Sequence, residues 1–321
     1  MSYNSPQTHH TDPKNIHTNQ NIRTKPDRFR GCLLGLSVGD AVGTTVEFQG
    51  RGSFSPLTDM VGGGPFHLKP GQWTDDTSMA LCLATSLVEC QGFNADDQMQ
   101  RYWGWYQEGY LSSTGHCFDI GNTVRQALEQ YHRTGNPYSG STHPRSAGNG
   151  CIMRLAPVPL FYHGDLDRAI HFSGESARTT HGAEECIEAS RLFGSMLWYA
   201  ISCYAKAELL TPQHPSIVCP SLQSIARGEY RTKTIDEIRG SGYVVQSLEA
   251  ALWCFWTTDS FEAAILQAAN LGDDADTTAA ICGQIAGAYY GESGIPPHWL
   301  DRLVMVEDIR ALSDRLGVSV E

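Results

Sequence analysis

Glycine recurs every four residues at Gly31, Gly35, Gly39 and Gly43, along a stretch that reads as helical from Arg28 onward. Residues four apart share one face of an α-helix. Each helical glycine costs about 1 kcal/mol relative to alanine, so a repeated glycine face implies that another backbone approaches it very closely. Ala279, Gly283, Gly287 and Gly291 repeat the spacing near the other end of the chain. The spacing predicts that these two helices pack on each other and bring the ends of the chain together. Asp40 and Glu47 are then expected beside the segment that leads into the second helix.

That segment is acidic, with Asp273, Asp274, Asp276 and Thr277, and Thr74-Asp75-Asp76 opens another apolar helical run. Asp and Thr are favoured helix caps, and acidic side chains suit a helix N-terminus. Capping needs one or two such residues, whereas these clusters crowd like charges that repel unless a cation sits among them. Both clusters offer only hard oxygen ligands, suited to Mg2+, Mn2+ or Ca2+, and lack the thiolates and imidazoles zinc prefers. The second is no EF-hand, because Thr-Thr-Ala-Ala-Ile follows Asp276 where that loop needs glycine and a closing glutamate. Together the two clusters are read as one metal site.

The 321 residues contain no low-complexity linker within the apolar part, and one large domain over 28–321 is expected. Apolar stretches are interrupted before they reach membrane-spanning length, and no secretory signal precedes them. A cytoplasmic chain with reduced thiols is expected; the ten cysteines lack CxxC spacing, and Cys82, Cys186, Cys254 and Cys282 read as small core residues. A net charge of −12 argues against broad nucleic-acid binding, which relies on Lys and Arg at phosphates.

Residues 1–27 are rich in Asn, Thr, His, Gln and Pro and cannot pack a core. They are expected to form a floppy tail or an arm that orders against a partner; His9, His10 and His17 are too loosely spaced to define a metal site. Further helices are expected at 75–89, 119–132, 181–204, 247–256 and 260–270, several apolar on most faces as in a buried bundle. Tyr243-Val244-Val245 is an isolated strand-like run, so the class is all-α. The proline-bearing stretch 210–242 is expected to lie on the periphery.

Three glycine-rich connections have the character of site walls: Gly62-Gly63-Gly64-Pro65, the polar loop 134–150, and Gly121-Asn122-Thr123 after Phe118-Asp119-Ile120. Glycine lets backbone N–H groups approach phosphate oxygens, and helix N-termini favour anions. Gly148-Asn149-Gly150 lacks the strand and third glycine of a dinucleotide fingerprint, and no GxxxxGK[ST] loop is present. On local sequence, Asp119 and His181 read as helix caps or packed residues as readily as functional ones, and Arg154 as an ion-pair partner.

These residues, in this order, resemble the ADP-ribosylglycohydrolase family, and more closely its bacterial dinitrogenase reductase-activating glycohydrolase branch. The matching text is Gly39-Asp40-Ala41-Val42-Gly43 with Glu47, Thr74-Asp75-Asp76-Thr77, Phe118-Asp119-Ile120-Gly121-Asn122-Thr123, Gly148-Asn149-Gly150 with Met153-Arg154, Thr180-His181, and Gly272-Asp273-Asp274-Ala275-Asp276-Thr277. It spans Phe29 to Gly291. The resemblance implies a compact all-α fold with two divalent cations, Mg2+ or Mn2+, held by Thr74, Asp75, Asp76, Asp274, Asp276 and Thr277. It implies catalytic roles for Asp119, Glu47 and Asp274, and an ADP-ribose groove lined by Gly121, Asn122, Gly148, Asn149, Gly150, Met153, Arg154 and His181. Asp273 stands where many members have a second glycine.

The implied activity is removal of ADP-ribose from modified protein side chains, with arginine favoured by the Phe-Asp-Ile-Gly-Asn-Thr text over serine-linked or O-acetyl substrates. Cleaving a ribose N-glycosidic bond develops positive charge on the sugar and needs a positioned water. Which carboxylate serves as base, Asp119 or a metal-bridging aspartate, stays open on sequence. A different class also stays open: an immunity protein whose arm at 1–27 binds an ADP-ribosyltransferase, with or without hydrolysis. A two-metal phosphohydrolase is a third reading.

Overall fold

The computed structural model describes residues 23–212 and 215–318, so His9, His10, His17 and most of the expected N-terminal arm lie outside the described residues. Fourteen α-helices follow in chain order among the described residues: α1 Lys25–Gly43, α2 Asp75–Glu89, α3 Ala95–Glu108, α4 Asn122–Thr134, α5 Pro157–Phe161, α6 Leu166–Arg178, α7 Glu184–Ile201, α8 Lys206–Leu209, α9 Pro220–Ala226, α10 Val244–Thr257, α11 Phe261–Ala269, α12 Ala275–Tyr290, α13 Pro297–Leu300 and α14 Val306–Leu316. No β-strand occurs among them, only isolated bridges such as Gly148 to Tyr243. The all-α class therefore holds. None of these helices is long and apolar enough to cross a membrane.

α1 and α12 form the most extensive helix pair of the molecule, and the glycines are the reason. A Cβ placed on Gly31, Gly35 or Gly39 would collide with the carbonyl oxygen of Gly287, Gly283 or Ala279, and one on Gly283 or Gly287 with that of Gly35 or Gly31. Without those methyl groups the two backbones lie in direct contact. Nearly every residue of both helices is buried, from Arg28 to Gly43 and from Ala275 to Ala288, which is why neither has a polar stripe. Arg28 fastens the far end: its Nη1 donates to the carbonyls of Ala200, Ala288 and Tyr289, each at 3.1 Å, near the C-termini of α7 and α12. One contiguous apolar core extends from Phe29 to Leu316 around this pair.

Several boundaries differ from expectation. α1 begins at Lys25 because Thr24 caps it, its hydroxyl accepting from Asp27 N at 3.4 Å, so Lys25 to Asp27 belong to the helix and not to the arm. The helix expected from Asp119 begins at Asn122, with Asp119 in the preceding loop at φ 58°. His181 precedes α7, and Tyr243 caps α10 instead of forming a strand. The stretch 210–242 is not purely peripheral: Leu222, Ile225, Tyr230 and Ile238 are buried in the core. All ten cysteines are free thiols, and burial pushes Cys82, Cys254 and Cys282 upward, as expected of inert core residues.

Candidate metal and substrate site

The glycine contact sets Asp40, on the last turn of α1, against the start of α2. Asp40 is fully buried; Oδ1 accepts from Thr74 N (2.8 Å) and Thr74 Oγ1 (2.9 Å), and Oδ2 from Thr77 N (3.0 Å) and Thr77 Oγ1 (2.6 Å). Burial pushes its carboxyl up to about 6 against the pull of these four bonds. Thr74 makes no side-chain cap of its own. Asp40 thus caps α2, and Asp75 and Asp76 are freed from that duty.

Glu47 follows the short 3-10 turn Thr44–Val46 after α1. Its loop is clamped to the acidic loop before α12, for Phe48 N donates to Asp273 O at 2.8 Å and Asp273 N to Gln49 O at 2.7 Å. Phe48 (φ 63°), Asp119 (φ 58°) and Asp273 (φ 56°) are non-glycine residues in the left-handed region, a conformation costing of order 1–3 kcal/mol each and concentrated where function demands it.

The oxygens of Glu47, Asp119 and Asp276 lie within 4.8 Å of one another. With Asp75, Asp274 and Thr277 they line a cleft of about 440 Å3 whose other wall carries Gly121, Asn122, Gly148, Asn149, Gly150, Met153 and His181. Two sequence-distant acidic motifs therefore meet. Thr74 and Asp76 sit directly behind, with Thr74 Oγ1 3.4 Å from Asp276 Oδ2 and Thr277 Oγ1 3.4 Å from Asp76 Oδ2. Asn149 joins the glycine loop to the acids, its Nδ2 donating to Asp274 Oδ2 at 2.6 Å.

Electrostatically this cluster is unfinished. Burial, reinforced by Asp119 and Asp274, pushes Glu47 up to about 9; burial, with Asp40 and Asp274, pushes Asp119 up to about 7. Burial and neighbouring carboxylates hold Asp75, Asp76 and Asp276 well above the ordinary range. Asp76 Oδ1 and Glu47 Oε2 are buried with no hydrogen-bond partner among the described residues. An all-oxygen set with orphaned carboxylate oxygens and mutual repulsion fits a hard divalent cation.

These carboxyls are raised above their usual value near 4, so the metal-free folded chain binds more protons than the unfolded one, and its stability is lost as pH rises through about 7 to 9. The melting temperature of EDTA-treated protein is expected to fall by roughly 5 °C or more between pH 5 and pH 9. Added Mg2+ or Mn2+ should flatten that slope in calorimetry; equal slopes with and without metal would contradict a cation-binding cluster.

Arg154 stands apart from the expected lining. It is fully buried behind the glycine loop, with Nη1 donating to Gly150 O at 2.8 Å. Asp40 and Phe48 are the functional candidates that the sequence signalled weakly: a carboxylate inside a glycine-lined helix face, and an aromatic next to Glu47 that is 68% exposed at the cleft.

The model of the ADP-ribosylglycohydrolase family matches residues 20–320. ADP-ribosylarginine hydrolase Tri1 of Serratia proteamaculans (strain 568) is 48% identical over 290 residues, covering 90% of this chain and 79% of its own. ADP-ribosyl-[dinitrogen reductase] glycohydrolase of Rhodospirillum rubrum is 33% identical over 294 residues, covering 87% and 91%. A solved ADP-ribosylglycohydrolase-related protein complex superposes with a TM-score of 0.82 at 43% identity, covering 91% of this chain and 98% of that one. The chain belongs to the ADP-ribosylglycohydrolase family.

Proposed function

We propose that this chain hydrolyses the N-glycosidic bond joining ADP-ribose to arginine side chains of modified proteins, with two divalent cations, Mg2+ or Mn2+, held by the acidic cluster. The observation that carries the reading is the meeting of Glu47, Asp119 and Asp276 with Asp75, Asp274 and Thr277 in one cleft beside the glycine loop. Two similar proteins are named for hydrolysis of ADP-ribosylarginine, those of Serratia proteamaculans and Pseudomonas putida, the second 46% identical.

The cations would be held by Asp75, Asp274, Asp276 and Thr277 with Thr74 and Asp76 behind, Glu47 and Asp119 completing the set. When bound, divalent ions bind sugar hydroxyls and lower the pKa of a coordinated water. Everything else falls to the chain. Asn149 fixes the Asp274 carboxylate by its 2.6 Å bond. The first turn of α4, at Asn122, Thr123 and Val124, faces the cleft with no side-chain cap, and its free N–H groups suit the diphosphate. Asp119, beside Glu47 and Asp276 at the cleft, is placed to take a proton from water or to give one to the departing guanidine nitrogen. Phe48 lines the cleft, and Phe66 and Phe118 continue from it with successive ring centroids 6.4 and 5.2 Å apart, an aromatic run against which a planar cation can rest.

The test is release of free ADP-ribose from an arginine-modified protein with Mg2+, Mn2+ or EDTA, beside a serine-linked substrate. Metal-dependent release from arginine is expected, with EDTA lowering it at least a hundredfold (about 2.7 kcal/mol of barrier). Release from serine alone would move the specificity, and tight ADP-ribose binding without release would make the chain a binding protein.

A further inference from the structure

Arg154 has no carboxylate partner among the described residues, although it is fully buried. Its Nη2 donates to Thr180 Oγ1 at 2.6 Å, and its guanidinium carbon stands 4.8 Å from the centroid of the Tyr102 ring. Thr180 Oγ1 is also 2.8 Å from His181 Nδ1. A guanidinium only donates, so Thr180 Oγ1 must accept from Arg154. Thr180 is fully buried, and among the described residues its hydroxyl bonds only to Arg154 and His181. Were His181 to carry its proton on Nδ1, the hydroxyl hydrogen would be a buried donor without an acceptor, which costs roughly 1–3 kcal/mol. The arrangement that leaves the Thr180 hydroxyl with both an incoming and an outgoing bond has Thr180 O–H donating to a bare Nδ1, which puts the ring proton on Nε2.

Nε2 is on the cleft side. His181 lines the cavity, is 2% exposed, and Nε2 makes no hydrogen bond to the described residues. The ring is packed against the glycine loop so closely that a Cβ on Gly150 would lie 2.7 Å from Cε1 and 3.1 Å from Nε2. Gly150 is glycine because this ring needs the space.

We propose that Arg154 and Thr180 are positioning residues that lock His181 in its Nε2–H form and so present the cleft with one neutral hydrogen-bond donor for a substrate oxygen. The oxygen belongs to a sugar hydroxyl or phosphate of ADP-ribose, and in that respect the inference rests on the proposed function. Burial and the Arg154 charge push His181 down to about 3, in keeping with an uncharged ring. His181 therefore orients substrate and carries no proton in the reaction. The proton work is left to the carboxylates.

Full-length protein with 15N-labelled histidine tests this by multiple-bond 15N–1H spectra at pH 7, with His181→Asn identifying the signal among the twelve histidines. Wild type should show protonated Nε2 and bare, hydrogen-bonded Nδ1. Thr180→Val should shift the Nδ1 signal and mix the tautomers, and raise KM for the ADP-ribosylated substrate about tenfold with kcat changed less than about threefold. Thr180→Ser should keep the wild-type spectrum and KM. An Nδ1–H ring or an imidazolium in wild type overturns the proposal, and that spectrum decides even if Thr180→Val does not fold. A Thr180→Val spectrum like wild type also overturns it, as does a changed spectrum with unchanged KM. Wild type with the expected tautomer but no release from any ADP-ribosylated substrate would overturn the activity and the substrate role while leaving the tautomer lock standing.

Discussion

Asp276→Ala is expected to lose divalent metal and activity together, with ADP-ribose release falling about a thousandfold or more, while Asp119→Asn keeps metal and loses about a hundredfold. Asp276 is where the two acidic motifs touch: it belongs to the close carboxylate group with Glu47 and Asp119, Thr74 Oγ1 reaches its Oδ2, and Thr277 N donates to its Oδ1 at 2.7 Å. Removing that carboxylate opens the set on both sides. Metal ions contribute several kcal/mol of transition-state stabilisation, and each 1.36 kcal/mol is a factor of ten, which sets the thousandfold scale. Asp119 stands in a strained loop outside the two helix N-termini, and asparagine keeps an oxygen ligand while removing the titrating proton, so its loss is on the scale of general acid–base catalysis. Isothermal titration with Mn2+ and a release assay on each variant separate the two effects. Equal metal loss in both would sink the division of roles and make Asp119 an obligate ligand.

What the sequence could disclose depended on how each feature is encoded. The α1 and α12 pairing was legible because a glycine stripe has almost no other explanation, and it led correctly to Asp40 and Glu47 lying beside Asp274 and Asp276. The boundaries of α2 were legible because Thr74-Asp75-Asp76 switches abruptly to an apolar run. α3, α6 and α14 carry a weaker sequence signal, because each buries one narrow face and carries charge elsewhere. Asp119 reads as a helix start because Asp commonly caps; that Gly121 takes the N-cap while Asp119 adopts a positive φ is decided by the cleft and not by local propensity. The cap on α2 illustrates the limit most clearly. The local sequence offered Thr74 for the task, yet Asp40, 34 residues away, performs it. Tertiary contacts of that kind have no short-range signal. Arg154 likewise reads as an exposed-groove residue from its motif and is in fact buried behind the groove, because its hydrogen bonds run to Gly150 and Thr180.

Gly287→Ala is the sharpest test of the helix pair, because intrinsic propensity and packing predict opposite signs. Alanine in place of a helical glycine should stabilise by about 1 kcal/mol if nothing else changed. At position 287, however, the added methyl meets the Gly31 carbonyl oxygen and the carbonyl carbon and nitrogen beyond it, all backbone atoms that no rotamer change can move. Relief requires α1 and α12 to separate along their most extensive contact, stripping packing from a core that reaches most of the molecule. A loss above about 4 kcal/mol is therefore expected, against a total stability of order 5–15 kcal/mol, with a fall in melting temperature of at least about 10 °C or recovery only in the insoluble fraction. Gly104→Ala supplies the comparison, since it lies within α3 and a Cβ there meets nothing closer than the Tyr110 Cβ at 3.8 Å; it should be neutral or slightly stabilising. Any Gly287→Ala protein that does fold should bind Mn2+ more weakly, because the register of the two helices sets Asp40 under Thr74 and Asp276 against Glu47. If Gly287→Ala melted at or above wild type, the close backbone approach would be wrong and the route from the glycine stripe to the acidic cluster would fail with it.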